Sequence, residues 1–280
     1  MQVMSDETDK AVILAAGRGS RMQSDARCVG ELSSEAGKLA GKGLKGLIPV
    51  AGRPFMDYNI QRLVDVGIEH ICFVVSPEAA EFIEYGERVS SKFGIRVDYA
   101  RQDSPRGTAD AVLAGERAVG EDNFLLCNCD NLYPYSALEK LAGLPAGVSG
   151  VAGFERNELL RRSNIESERI SSLAVLNMDR EGNLEGIVEK PECPEAYKYR
   201  GSLWINMNLY RFTPAIFRFC RMIEPHPERG ELELTEAVSC MLQTSEHPFR
   251  IIFASEAVLD MTERGDIRAV RRALEESGEI

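Results

Sequence analysis

The stretch AVILAAGRGSRM, residues 11–22, decides the fold. Its first six residues are all apolar, and the run stops at Gly17, where a short glycine-rich and basic segment begins. This pattern predicts a buried strand that opens into a phosphate-binding loop, because glycines let the backbone approach a polyphosphate while backbone N–H groups and an arginine supply donors. The loop lacks the Gly-Lys-Ser/Thr ending of a P-loop and the third glycine of a dinucleotide fingerprint. By itself, the stretch is equally consistent with a tight strand-to-helix turn that carries a solvated arginine.

The overall composition is that of an ordinary globular protein. The chain has 280 residues, of which 44% are hydrophobic and 28% charged, and this predicts a single domain spanning 1–280. A net charge of −11 argues against general binding to nucleic acid or to an anionic membrane surface. The sequence has no apolar run as long as a membrane span, and its first ten residues contain no secretory apolar segment. We therefore expect no nucleic-acid or membrane partner, and the oligomeric state, a homo-oligomer included, stays open.

The positions of the cysteines and histidines argue against a zinc site and against histidine-based catalysis. Seven cysteines at irregular spacing favour reduced thiols in a cytoplasmic protein. Cys127 and Cys129 invite a metal interpretation, but no second Cys/His pair stands at zinc spacing and the segment is apolar, so buried structural thiols are favoured. The three histidines lie outside any nucleophile or metal motif, which disfavours histidine-based chemistry.

Strands and helices alternate through the first half of the chain. Continuous apolar or β-type runs predict strands, and helical spacing predicts helices between them. The strands are expected at 11–16, 71–76, 96–101 and 124–129, and the helices at 56–66, 79–93 and 108–119. The second half contains more strand candidates and fewer helices, at 148–155, 170–178, 184–189, 202–210 and 258–260, with a closing helix at 265–276. This order predicts an α/β fold: a doubly wound, mostly parallel, Rossmann-like sheet over about 11–135, with an α+β elaboration over 136–280. Residues 23–44 resemble a loop.

Polar residues follow several of the predicted strands. Gly17, Gly19, Ser20 and Arg21 follow the first strand. Further candidates after later strands are Gln102, Gly107, Thr108, Asp130 and Asp260. Because ligands bind at the carboxyl ends of strands in a doubly wound sheet, we expect these groups to meet at one edge. Two aspartates beside a phosphate loop indicate a magnesium site, since hard cations prefer carboxylate oxygens.

A family resemblance rests on an ordered set of short motifs. They are LAAGRGSRM (14–22), KGLIPVAGRPFMDY (45–58), QDSPRGTADAV (102–112), LLCNCDNLY (125–133), IVEKP (187–191), residues 206–212, GELELTE (230–236) and residues 259–267. Together they span nearly the whole chain and resemble the sugar-1-phosphate nucleotidyltransferases, with most likeness to the glucose-1-phosphate thymidylyl- and uridylyltransferases. The resemblance implies that the half over 136–280 binds a sugar.

The resemblance also implies a reaction, in which a nucleoside triphosphate and a sugar 1-phosphate give a nucleotide sugar and pyrophosphate with Mg²⁺ as cofactor. Arg21 and Lys45 would be the catalytic cations, and Asp130 and Asp260 would hold the metal. The nucleotide would be bound by Leu14, Ala15, Ala16, Gly17, Gly19, Ser20, Gln102, Gly107 and Thr108. The sugar phosphate would be bound by Glu189, Lys190 and Asn206. Gln102 with Gly107 favours dTTP or UTP, because a carboxamide pairs with both the N3–H and a carbonyl of a pyrimidine dione.

The sequence departs from the family pattern in three places. Arg21 and Lys45 are 24 positions apart, so Lys38 and Lys42 compete for the role of Lys45, or the added segment is a lid. Cys129 replaces a glycine before the metal aspartate, and Asn208 replaces a glycine that faces the sugar in relatives.

Two alternative functions therefore stay open. One is transfer to a non-sugar acceptor such as an alditol phosphate or a phosphonate, and the other is a non-catalytic subunit that binds nucleotide sugars. At the level of single residues, Gln102 and Thr108 are equally consistent with capping the turn and the helix that follow them.

Overall fold

The structure is a computed structural model that describes residues 8–24, 33–244 and 248–280. The strands are β1 (Lys10–Leu14), β2 (Pro49–Val50), β3 (Arg53–Pro54), β4 (His70–Val75), β5 (Arg96–Arg101), β6 (Phe124–Asn128), β7 (Asn131–Leu132), β8 (Ser149–Glu155), β9 (Val175–Met178), β10 (Leu184–Val188), β11 (Trp204–Phe212), β12 (Phe249–Ala254) and β13 (Leu259–Asp260). The helices are α1 (Ser20–Ser24), α2 (Ser34–Lys42), α3 (Phe55–Asp65), α4 (Ala80–Phe93), α5 (Thr108–Ala114), α6 (Glu116–Val119), α7 (Tyr135–Ala142), α8 (Arg156–Arg162), α9 (Ser167–Ser171), α10 (Ala215–Met222), α11 (Leu234–Leu242) and α12 (Asp266–Ser277).

The strands β6, β1, β4 and β5 lie side by side in that order and run parallel. Ala11 in β1 stands opposite Ile71 in β4 and Leu125 in β6. On the other side of β6 the sheet continues through β11, which runs antiparallel, and then through β9 and β10. The strands β8 and β12 extend from β11 as a side branch. The expected α/β fold with a mostly parallel sheet in the first half is confirmed.

Alternate residues of the central strands pack into different layers. Ala11 and Ile13 belong to one buried cluster, whereas Val12 belongs to a second cluster on the opposite face. Both faces of the sheet are therefore covered, which is why these strands are apolar along their whole length. No described helix has the length and apolarity that crossing a bilayer demands.

The segment that resembled a loop, 23–44, contains a helix. The hydroxyl of Ser33 accepts a hydrogen bond from the backbone N–H of Ala36 at 3.1 Å, and α2 ends at Gly43 in the left-handed conformation. Ala36 and Ala40 are buried in a third cluster with residues of α3 and α12. The loop prediction is wrong for 34–42, because small alanines form the buried face and give no strong apolar period. Residues 25–32 lie outside the described residues.

The second half differs from the prediction in two further ways. The strand expected at 170–178 begins only at Val175, since α9 occupies the first part and places Ile170 in the core. The expectation of fewer helices is also wrong, because α7 to α12 all lie after residue 134. Strands from both halves belong to one sheet, since β11 pairs with β6.

Candidate functional site

A cleft of about 860 Å³ lies at the carboxyl ends of β1, β5 and β6. Parallel strands place these ends at one edge, so segments distant in sequence meet there. The predicted residues that line the cleft are Leu14, Ala15, Ala16, Gly17, Ser20, Lys45, Gln102, Gly107, Thr108, Asp130 and Glu189. Five others stand outside its lining: Gly19, Arg21, Lys190, Asn206 and Asp260.

The glycine-rich loop after β1 packs closely against the residue that follows α2, Gly43. Gly19 has a φ of +60°, and a side chain built on it would come within 2.6 Å of the backbone of Gly43. Gly43 in turn approaches the carbonyl oxygen of Arg18, so both positions require glycine. Arg18 lines the cleft, whereas the side chain of Arg21 is exposed on α1 outside the lining.

Lys45 and Asp130 meet inside the cleft. The Lys45 Nζ lies 2.6 Å from Asp130 Oδ2, and the two side chains are only 15% and 18% exposed. Burial alone would lower the pKa of Lys45, but the Asp130 carboxylate outweighs it and raises this pKa. The contact is possible because the next residue, Gly46, passes so close to the carbonyl oxygen of Cys129 that a side chain would clash. Of the lysines considered for this role, Lys45 is thus the one in the cleft, since Lys38 and Lys42 are exposed on α2.

Asp260 stands next to Asp130 because two short strands pair. In this pair Asp260 of β13 lies opposite Asn131 of β7, and the N–H of Met261 donates to the carbonyl oxygen of Asp130 at 2.8 Å. Burial and the negative charge of Asp130 raise the pKa of Asp260, while Arg169 opposes this effect. The two predicted metal ligands are therefore neighbours that repel each other.

The Asp260 side chain is already held by other groups. Its carboxylate accepts a hydrogen bond from Asn131 Nδ2 at 3.0 Å and pairs with Arg169, which also bridges to Asp266. The sequence reasoning did not identify Arg169, because a lone arginine on a short helix has no motif spacing.

The turn after β5 is organised by Gln102. Its Nε2 donates to the carbonyl oxygen of Gly107 and to Asp110 Oδ2, both at 2.9 Å. The two amide protons are thus used within the protein, and the carbonyl end of the carboxamide is the part left for a ligand. Thr108 does not cap its own helix: its hydroxyl accepts a hydrogen bond at 3.0 Å from the N–H of Leu234, the first residue of α11.

The opposite wall of the cleft is rich in carboxylates. Glu189, which follows β10, is joined there by Glu231 and Glu233, and Arg229 pairs with Glu233. Partial withdrawal from water, followed by the negative charge of Glu233, raises the pKa of Glu189. Carboxylates of this kind accept hydrogen bonds from hydroxyl groups.

Asn206 is buried in β11 and orders the backbone at Asn208, which lines the cleft. Its side chain donates to the Tyr210 hydroxyl at 2.8 Å and accepts from the N–H of Asn208 at 3.0 Å, across a bulge in β11. Asn208 has a φ of +55° and lines the cleft. This left-handed backbone explains why glycine suits the position, and why asparagine is among the few other residues tolerated there.

Sequence reasoning missed several lining residues. They are Arg18, Phe82, Pro105, Arg106, Asn128, Arg229, Glu231 and Glu233. Most lie within or directly beside a recognised motif, so the motifs located the right segments but not every side chain that faces the cleft.

Comparisons with known proteins identify the family of this chain. Residues 10–275 match the family model described as nucleotidyl transferase, and the chain therefore belongs to this family. The low-salt glycan biosynthesis nucleotidyltransferase of Haloferax volcanii is 27% identical over 234 residues, which cover 84% of this chain and 57% of that protein. The UTP–glucose-1-phosphate uridylyltransferase of the same organism is 27% identical, over 84% of each chain. The glucose-1-phosphate thymidylyltransferase of Neisseria gonorrhoeae is 29% identical over 90% of this chain and 77% of its own.

Two solved structures share the fold. A UDP-glucose pyrophosphorylase complexed with UDP-glucose superposes with a TM-score of 0.70 at 19% identity, covering 96% of this chain and 99% of the other. The inositol-1-phosphate CTP transferase of T. maritima gives a TM-score of 0.71 at 16% identity, with 98% and 97% covered. The family model and the curated relatives confirm the family expected from the motifs.

Proposed function

We propose that the protein transfers a nucleoside monophosphate from a nucleoside triphosphate to a sugar 1-phosphate. The observation that carries this proposal is the Lys45–Asp130 pair, which stands in one cleft with the glycine-rich loop and the Gln102 turn. An oxygen of the sugar phosphate forms a bond to the α-phosphorus, and the bond to pyrophosphate breaks. The names of the relatives, which include uridylyl- and thymidylyltransferases for glucose 1-phosphate, support the same reaction.

Different residues of the cleft neutralise the negative charge of different phosphates of the triphosphate. Lys45 stabilises the negative charge that builds up around the α-phosphate, since its ammonium group is fixed and partly withdrawn from water. The backbone of Gly17, Gly19 and Ser20 binds the β- and γ-phosphates. We assign Arg18 to the leaving pyrophosphate alongside the predicted Arg21, because Arg18 is the arginine that lines the cleft at this loop.

The donor set of Asp130 and Asp260 fits a hard divalent cation such as Mg²⁺. Two carboxylates held side by side raise the pKa of one of them, and a bound cation would relieve that repulsion. Among the described residues no group of three or more His, Cys, Asp or Glu side chains is arranged to hold a metal ion, so phosphate oxygens and water would supply the other ligands. When bound, the ion would neutralise charge on the triphosphate.

The base preference follows from the free end of Gln102. Because its amide protons are used by Gly107 and Asp110, its carbonyl oxygen accepts a hydrogen bond from the base. Uracil and thymine offer an N3–H donor, whereas cytosine presents a lone pair at N3. Because other bases also carry N–H donors, the choice rests in addition on the names of the relatives, which include uridylyl- and thymidylyltransferases, and on both grounds UTP or dTTP is the proposed donor substrate.

The acceptor is proposed to be the 1-phosphate of a sugar that carries no other charged group. Glu189, with Glu233 beside it, accepts hydrogen bonds from sugar hydroxyls. Lys190, which directly follows Glu189 but stands outside the cleft lining, keeps the phosphate contact that the family resemblance implies. A sugar with its own carboxylate would meet repulsion at this wall.

The cellular location is proposed to be the cytoplasm. Six cysteines in the described part of the chain are free thiols, which supports this proposal: Cys72, Cys127, Cys129, Cys193, Cys220 and Cys240.

The test is pyrophosphate release with Mg²⁺, measured for the common triphosphates against a panel of sugar 1-phosphates and alditol phosphates. Release with UTP or dTTP and a neutral sugar 1-phosphate is the expected result. If pyrophosphate is released only with an alditol phosphate, the acceptor is an alditol phosphate and not a sugar 1-phosphate. If no pyrophosphate is released with any pair of substrates and only a finished nucleotide sugar raises the melting temperature, the protein binds nucleotide sugars without catalysing their formation.

A further inference from the structure

The hydroxyl of Thr108 caps a helix that lies far away in the sequence. Leu234 is the first residue of α11, and Glu233 before it provides no side-chain cap. The N–H of Leu234 would otherwise lack a partner within its own helix, and it donates to Thr108 Oγ1 at 3.0 Å, across 126 positions. The start of α11 is therefore fixed by the turn that follows Gln102.

Backbone contacts strengthen the same junction. The N–H of Leu232 donates to the carbonyl oxygen of Arg106 at 2.6 Å, and the N–H of Ala109 donates to the carbonyl oxygen of Leu232 at 2.9 Å. Gly107 has a φ of +115°, and a side chain on it would come within 2.4 Å of the Leu232 carbonyl oxygen. Residues 106–109 and 232–234 thus form one hydrogen-bonded unit.

The two segments of this unit, 106–109 and 232–234, contact different parts of the cleft. On one side Gln102 holds the carbonyl oxygen of Gly107, which ties the unit to the proposed base site. On the other side α11 packs against β10, the strand that ends just before Glu189, and Thr235 near the start of α11 opposes the rise in the pKa of Glu189. Glu233 pairs with Arg229 on the same wall. Residues 106–109 and 232–234 therefore connect the turn after β5 to the wall that contains Glu189.

We propose that Thr108 is a positioning residue that couples the nucleotide site to the acceptor site, an inference that rests on the function proposed above. Binding of the triphosphate at the Gln102 turn fixes residues 106–109, and the Thr108 hydroxyl then holds α11 and Glu189 in the arrangement that accepts the sugar. Coupling between two sites is reciprocal, so acceptor binding also favours triphosphate binding. Loss of one helix-capping hydrogen bond corresponds to a change in affinity of about fivefold.

The test compares Thr108→Val, which keeps the side-chain shape but removes the hydroxyl, with Thr108→Ser, which keeps the hydroxyl. Thr244→Val is the matched control, because the Thr244 hydroxyl bonds to the Met241 carbonyl oxygen beyond the other end of α11. At saturating UTP, Thr108→Val is expected to raise the KM for glucose 1-phosphate about fivefold with a smaller change in kcat. Thr108→Ser and Thr244→Val should stay within twofold of the unmodified protein. A Thr108→Val protein with unchanged KM, or a Thr108→Ser protein as impaired as Thr108→Val, overturns the proposal.

A second readout does not depend on turnover. Hydrogen exchange is followed in peptides covering 229–238, with and without UTP and Mg²⁺. UTP is expected to slow exchange there in the unmodified protein and in Thr108→Ser, but not in Thr108→Val or in Thr108→Ala. No slowing in the unmodified protein, or equal slowing in Thr108→Val, contradicts the coupling. If the unmodified protein releases no pyrophosphate with any acceptor, the proposed function fails, while this exchange experiment still decides the coupling.

Discussion

The ammonium group of Lys45 lies 2.6 Å from the carboxylate of Asp130, although the two residues are 85 positions apart. The contact joins the short turn after α2 to the end of β6, within the cleft that also contains the glycine-rich loop. Asp130 would help to hold a divalent cation, which would supply charge neutralisation, and Lys45 is placed to bind the α-phosphate beside it.

Asp130→Asn is expected to lower turnover by about three orders of magnitude or more, because the amide binds a hard cation far less well than a carboxylate. The substitution also removes the negative charge that raises the pKa of Asp260. It also takes away the carboxylate that raises the pKa of Lys45, and because these two effects oppose each other, the melting temperature without metal should change little. The measurements are pyrophosphate release over a Mg²⁺ titration and thermal unfolding.

The control for this variant is Asp122→Asn. Asp122 pairs with Lys10 at 2.7 Å and stands outside the cleft lining. Its replacement should leave both turnover and the Mg²⁺ dependence unchanged. An Asp130→Asn protein that keeps the normal rate and the normal Mg²⁺ dependence would refute the metal assignment.

Lys45→Ala is expected to lower kcat by about 100-fold or more, the usual effect of losing one fixed group that stabilises transition-state charge. Lys38→Ala and Lys42→Ala should stay within about twofold, because both side chains are exposed on α2 and Lys42 already pairs with Glu81. Steady-state kinetics on the three variants checks this. A larger loss at Lys38 than at Lys45 would assign the phosphate contact to α2 instead.

Gln102→Leu is expected to lower kcat/KM for UTP and dTTP by about 10-fold to 100-fold, since the N3–H of the base then loses its acceptor. The variant also releases Gly107 and Asp110, so all triphosphates should bind somewhat less well. The informative quantity is the ratio of kcat/KM for UTP to that for CTP, which should fall. Gln61→Leu, at an exposed glutamine on α3 that bonds Asp65, is the matched control. An unchanged ratio in Gln102→Leu would remove the base-reading role.

Much of the fold could be predicted from the sequence because its central strands are continuous apolar runs. The strand 96–101 was predicted with its observed bounds, and β1, β4 and β6 within a residue or two. The helix α2 was missed because its buried face consists of Ala36 and Ala40, whose small side chains hardly affect an apolar period. The helix α10 was missed although Ile216 and Phe217 are buried in the core, since its aromatic residues suit strands equally well.

The candidate site could be predicted as a set of segments rather than as a set of contacts. Motifs placed Lys45, Gln102 and Asp130 in one cleft, since strand ends meet at one edge. The bond from Leu234 to Thr108 and the pairing of Arg169 with Asp260 depend on how distant segments pack. No local spacing encodes such contacts. Their detection therefore required the three-dimensional structure.

Asn208→Ala is expected to destabilise the protein by about 1 kcal/mol relative to Asn208→Gly. The backbone at this position has a φ of +55°, a conformation that alanine adopts at a cost and glycine adopts freely. For a chain of this size the difference corresponds to about 2–4 °C in melting temperature. Asn177→Ala in β9, where the backbone is extended, should change stability little. Equal melting temperatures for the alanine and glycine variants at 208 would contradict the proposed strain.

Glu189→Gln is expected to stabilise the protein at neutral pH. The pKa of Glu189 is raised above its ordinary value of 4.5, so the native state holds this proton more tightly than the unfolded state does. Stability therefore falls as the pH rises from about 4.5 through the higher pKa of the folded protein. The glutamine variant lacks this loss, and its advantage over the unmodified protein should vanish below about pH 4.5.

The size of this gain is limited to less than about 1 kcal/mol, because Glu189 is partly exposed and water screens its repulsion with Glu233. Denaturant unfolding from pH 4 to pH 8 measures it, with Glu192→Gln at an exposed position as the control. The same substitution should raise the KM for a sugar 1-phosphate, since a carboxylate accepts hydrogen bonds from hydroxyls more strongly than an amide does. A variant less stable at pH 7 than at pH 4.5, relative to the unmodified protein, would show that the carboxylate stabilises the wall. In that case Glu233 would not repel Glu189 enough to oppose folding.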